Sequence, residues 1–140
     1  MKKNISLPLN KNLYTPPYRF QLGCNAAVVS KYNELYVGRN LDVTFENGFW
    51  VINQRNINKT AYIPFDDSDT PISWVSQYGS VTINGFHLDI PLGGMNEKGL
   101  VVEHLALEGS KFPKKDARKA ITPFQWIQYQ LDNYSTVDEV

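Results

Sequence analysis

Apolar and polar positions follow no period through the first twenty-odd residues. Residues 4–20 carry Pro8, Pro16, Pro17 and the run Asn10-Lys11-Asn12, the pattern of an extended leader and not of a core segment. At Cys24 the texture changes. Residues 24–30 are short, apolar and β-branched at their end, 31–34 form a polar turn, and 35–38 resume the apolar pattern, which together predict a β-hairpin. Residues 49–54, 72–76 and 80–84 predict further strands, punctuated by Gly79 and Gly85. A turn is expected over 93–99 (GGMNEKG) and another strand over 100–107 (LVVEHLAL). Thr122-Pro123 has the form of a helix N-cap followed by proline at the first helical position. Phe124, Ile127 and Leu131 then fall at helical spacing, with Trp126 and Tyr129 widening the stripe. Ser135 with Asp138 and Glu139 has the form of one more helix cap as the chain reaches Val140. Strands first and helices after indicate an α+β fold.

Composition narrows the function classes. A chain of 140 residues, 42% hydrophobic and 20% charged, is that of a globular domain. With 14 basic against 14 acidic side chains there is no electrostatic footprint for a nucleic acid. Lys2 and Lys3 are not followed by the apolar core of a signal peptide, and Gln21 to Cys24 resembles a lipoprotein cleavage box only without the apolar stretch that should precede it. No run approaches the ~20 apolar residues of a membrane span. The sequence alone therefore favours a cytoplasmic protein with no membrane partner.

One cysteine excludes an internal disulfide and directs attention to a thiol. At the head of an apolar strand Cys24 reads either as a small buried hydrophobe or as something more reactive. A polar leader ends just before it at Gly23. Removal of residues 1–23 would give Cys24 a free α-amine, a group that titrates near ~7.7–8.0 and can take the thiol proton. Arg39 and Asp42, in Gly38-Arg39-Asn40-Leu41-Asp42, follow at a distance that one hairpin spans. They read either as a surface ion pair or as a cation favouring the thiolate and a carboxylate orienting the amine. His104 lies in an expected strand and reads as a packed residue, and His87 adds nothing to the cluster. Asp66, Asp67 and Asp69 lack the glycine and closing glutamate of a calcium loop. No spacing suits a metal.

Cys24, the stretch GRNLD at 38–42, WVSQYGSVT at 74–82 and above all GMNEKGLV at 94–101 resemble the choloylglycine hydrolase and penicillin V acylase family. These are linear-amide hydrolases whose nucleophile is the N-terminal residue. The resemblance runs from Cys24 to Val140 and includes the helix at QWIQY (125–129). It implies a leader or propeptide over 1–23, followed by an incomplete acylase domain over 24–140, the N-terminal part of an αββα sandwich. It implies Cys24 as the nucleophile, Arg39 and Asp42 as the pair that positions and activates it, and the backbone N–H of Ala106 as an oxyanion donor. The substrate class it implies is a small N-acyl amide, with no cofactor and no metal, and with homo-oligomers for the full-length family form. Ala106 and Gly93 depart from the family, which carries an asparagine or aromatic side chain at the first position and more often an aspartate at the second. A further oxyanion asparagine and a further arginine of the family lie beyond this stretch. Two other readings stand beside the hydrolase: an inactive remnant, and a small β-rich binding module without catalysis.

Overall fold

The computed structural model describes residues 23–42, 48–63, 69–85, 90–106, 109–111, 114 and 116–140. The leader through residue 22, His87, Asp66 and Asp67 lie outside the described residues. What is described is a mixed α+β chain with three antiparallel sheets and one α-helix.

The first sheet is the expected hairpin, β1 (Gly23–Lys31) paired with β2 (Glu34–Asp42) without a break in register. Lys31 pairs with Glu34, so only Tyr32 and Asn33 form the turn, and both take positive φ, 53° and 65°. That is the geometry by which a two-residue turn matches the right-handed twist of its strands. Beyond the strand ends the hairpin is open to solvent on both faces: Val28, Val29, Leu35, Tyr36 and Val37 are all exposed.

The second sheet runs in the order β3-β6-β7-β8, with β3 Phe49–Asn53, β6 Ser80–Gly85, β7 Ile90–Asn96 and β8 Val101–Glu103. A small third sheet pairs β4 (Asn58–Thr60), which the hydrophobic pattern does not mark, with β5 (Ser73–Val75). Two expectations need correction here. Residues 93–96, expected as turn, are strand, and the turn is confined to 97–99. The glycines that suggest a turn serve close packing instead: a Cβ on Gly94 would stand 2.5 Å from the Val81 carbonyl oxygen of the neighbouring strand. The strand expected over 100–107 is shorter, ending at Glu103.

The helix α1 (Pro123–Asn133) begins as the pattern predicts, with the Thr122 side chain accepting from the Gln125 N–H. Its buried face differs from the expected stripe. Ile127 and Leu131 are buried, but Phe124 and Trp126 are exposed, and Gln128, Gln130 and Asp132 are buried in their place. The reason lies in the partners these side chains meet: Asp132 accepts from Lys59 of β4 and Trp74 of β5. Buried polar groups must find partners, and Gln128 donates to Ser80 Oγ of β6 at 3.3 Å and to Asp132 Oδ1 at 2.8 Å. After the helix comes a single 3-10 turn (Val137–Glu139), capped by Thr136 and not by Ser135; Glu139 accepts from both their N–H groups. No helix among the described residues is long and apolar enough to cross a membrane.

Candidate functional site

Strand register decides which side chains can meet. Cys24 pairs with Leu41 and Ala26 with Arg39. Directly paired residues share a face, and so do residues two apart along a strand. Cys24 and Arg39 are therefore diagonal neighbours on one face, within the reach of a long side chain. Burial agrees: Cys24, Arg39 and Leu41 are partly covered, whereas Asn25, Asn40 and Asp42, on the opposite face, are exposed.

Asp42 is thus not beside the thiol. It pairs with Gly23, and its Oδ2 lies 3.0 Å from where a Gly23 Cβ would stand. The carboxylate flanks the Gly23–Cys24 peptide, on the far side of the strand from the sulfur. Of the three residues expected to gather, the hairpin brings Arg39 to the thiol's face and Asp42 to the backbone.

From that face the Arg39 side chain extends to the end of β8. Its Nη2 donates to the His104 carbonyl at 2.8 Å, and its Nε faces Glu103 Oε2 at 3.0 Å, with side-chain exposures of 8% and 17%. The Nε–Oε2 approach is an ion pair without hydrogen-bond alignment. Burial pushes the Glu103 carboxyl above its ordinary range, and the Arg39 charge opposes that rise. A buried charge is tolerated only with a partner, and here the Arg39 guanidinium favours the ionised form of Glu103. This contact ties the two-stranded sheet to the end of β8. Ala106, two residues beyond His104, is exposed. His104 itself stacks edge-on against Phe124, centroids 5.9 Å apart, as a packed residue does. A cleft of about 900 Å³ opens beside Glu103 and His104, with Trp126 and Ile127 on its apolar side and Lys111 and Lys114 at its polar side.

The motif GMNEKGLV does structural work below this site. The buried Asn96 amide donates to the carbonyls of Leu131 at 2.9 Å and Tyr134 at 2.7 Å. Its Oδ1 accepts from the N–H groups of Lys98 at 3.0 Å and Leu100 at 3.1 Å. Glu97 accepts from the Gly79 N–H and pairs with Arg55. Gly99 takes φ +85°, a left-handed conformation that a side chain would strain.

Two charged residues escaped the sequence reading. Glu103 is one, and its signal was the very oddity of a carboxylate in an apolar strand. Asp132 is the other: fully buried, it accepts from Lys59 Nζ at 2.9 Å, Trp74 Nε1 at 2.7 Å and Gln128. No group of three or more His, Cys, Asp or Glu side chains among the described residues could hold a metal ion.

The family model described as linear amide C-N hydrolases, choloylglycine hydrolase family, matches residues 24–140 and so begins at the cysteine. The chain is 40% identical over 75 residues to a penicillin V acylase of Pectobacterium atrosepticum, covering 49% of this chain and 20% of that protein. It is similar to the solved structure of penicillin V acylase from Agrobacterium tumefaciens, with a TM-score of 0.53 and 33% identity over 64% of this chain and 27% of that one. The chain therefore spans about a fifth to a quarter of the length of these relatives.

Proposed function

We propose that this chain, which belongs to the choloylglycine hydrolase family of linear amide C–N hydrolases, carries the nucleophile of a site that cleaves N-acyl amides. Its fold is then the N-terminal part of an αββα sandwich, preceded by a leader over residues 1–23. The observation that carries this reading is the coincidence at Cys24. The chain's one cysteine is the first residue of the family match and shares a strand face with Arg39.

In the proposed reaction, cleavage before Cys24 frees its α-amine, next to the carboxylate of Asp42. The amine takes the thiol proton, and the thiolate attacks the amide carbonyl carbon. The C–N bond breaks as the leaving nitrogen receives that proton, leaving an acyl-thioester. Water, deprotonated by the same amine, then attacks the thioester and returns the proton to sulfur. The backbone N–H of Ala106 serves the developing oxyanion, which is where electrostatic stabilisation contributes most to such reactions. The alanine at this position keeps the donor and forgoes any side-chain contact. The relatives carry penicillin V acylase in their names, so penicillin V and a glycine-conjugated bile acid are the first substrates to try.

Intact-mass measurement tests the first step, with a mature chain beginning at Cys24 as the expected result. An acyl adduct of Cys24, trapped by rapid acid quench after mixing with either substrate, tests the second. A chain that keeps its leader and yields no adduct overturns the reading. The exposed apolar strands of the hairpin favour a second reading, in which this portion acts only when further polypeptide of the family fold covers those faces. Adduct formation by the 140-residue chain alone excludes it.

A further inference from the structure

The Arg39–Glu103 contact depends on an exchange across two strands. Gly93 stands directly opposite Glu103 in the β7–β8 register. The Glu103 carboxylate occupies the place where a side chain at 93 would begin; a Cβ there would fall inside contact distance of both carboxylate oxygens. Laid across the glycine, the carboxylate meets Arg39 Nε, while the carbonyl of the next residue, His104, takes Nη2. Two consecutive residues thus hold two nitrogens of one guanidinium, which makes Arg39 a fixed cation and not a mobile one.

We propose that Glu103 is a positioning residue: Gly93 makes room for it, and it holds the Arg39 guanidinium on the strand face that carries Cys24, so setting the reactivity of the thiol. This rests on the reading of Cys24 as nucleophile with Arg39 as its partner. The charged groups near the pair, among the described residues, come from two places. From the hairpin come Asp42, on the opposite face, and Cys24 itself. Around the adjoining cleft lie Asp69, Lys111, Lys114, Lys119 and the mutually paired Asp116 and Arg118. None of these is in the Arg39 contacts described above, and a carboxylate at position 103 is what holds the guanidinium from the β8 side.

Because Cys24 is the sole cysteine, the rate of iodoacetamide alkylation of the full chain, followed from neutral to mildly alkaline pH, reports on this thiol alone. Glu103→Ala is expected to slow alkylation at neutral pH about three- to tenfold and to move the profile to higher pH, the same direction expected of Arg39→Ala, since a cation beside a thiol favours the thiolate. Glu103→Gln keeps an acceptor for the guanidinium and recovers most of the rate. The double variant Gly93→Asp with Glu103→Ala, which moves the carboxylate to the opposing strand, recovers it too. An unchanged profile in Glu103→Ala overturns the proposal. So does a loss that neither Glu103→Gln nor the double variant restores, because that pattern marks a packing defect. Alkylation needs no amide substrate. Failure to form an acyl adduct therefore counts against the hydrolase reading, and an unchanged alkylation profile counts against this one.

Discussion

The Asn96 amide donates to the Leu131 carbonyl at 2.9 Å, fastening the turn after β7 to the last turn of α1. Both groups are buried, and the same side chain also binds Tyr134, Lys98 and Leu100. Asn96→Ala leaves at least four backbone groups without their partner. It is expected to lower unfolding free energy by about 2–4 kcal/mol, at the upper end for a single substitution. Urea denaturation followed by tryptophan fluorescence measures this; a loss under about 1 kcal/mol, the typical value of one hydrogen bond, would contradict it.

Two glycines of the strands should respond in opposite ways to alanine. A Cβ on Gly94 would stand 2.5 Å from the Val81 carbonyl and 2.8 Å from the Thr82 methyl carbon, whereas nothing lies within 4 Å of one on Gly38. Gly94→Ala is expected to cost about 1–3 kcal/mol through forced strand separation. Gly38→Ala is expected to be neutral or to gain up to about 1 kcal/mol from a stiffer unfolded chain. Thermal melting of the two variants side by side gives the comparison.

Lys59 and Asp132 form an asymmetric pair: the carboxylate is fully buried and the ammonium is partly exposed. Asp132→Ala removes the acceptor for Lys59, Trp74 and Gln128 together and is expected to cost about 3–5 kcal/mol, as for a broken buried pair. Lys59→Met leaves Trp74 and Gln128 still donating to Asp132. Its cost should be smaller, about 1–2 kcal/mol for a hydrogen bond to a charged group. Equal losses in the two variants would mean that Lys59 alone stabilises the carboxylate.

Stability should depend on pH through Glu103. Burial raises its carboxyl above the unfolded value, with Arg39 opposing. Below the unfolded pKa the group is protonated in both states and its contribution is fully present. As pH rises through the raised folded value, the unfolded state loses its proton more readily and that contribution is lost. The stability difference between wild type and Glu103→Gln should therefore decline from acid pH toward neutrality. Urea midpoints of both proteins across that range check the sign, and a difference that grows with pH would refute it.

Legibility in the sequence varied by element for physical reasons. The hairpin was plain because two apolar runs around four polar residues admit little else, and its turn needs only two residues in the left-handed region. The start of α1 was plain because Thr122 and Pro123 act locally. The buried face of α1 was not, since an apolar stripe assumes apolar partners, and Lys59, Trp74 and Ser80 engage Asp132 and Gln128 there. The strand through Gly93 and Gly94 read as turn because glycine signals a bend and a close approach alike. That misreading also hid Glu103, whose meaning depends on the residue opposite it.

Sequence alone was enough to single out Cys24, Arg39 and Asp42, to limit the protein to one thiol, and to point through GMNEKGLV to its family. Those are local facts: residue type, spacing and order along the chain. Tertiary structure decided how they face one another. Register places Arg39 on the thiol's face and Asp42 on the other, and pairing of β7 with β8 brings Glu103 over Gly93 to meet Arg39. Strand alternation turns a shift of one residue into a change of side, and contacts between strands far apart in sequence exist only once the sheets have formed.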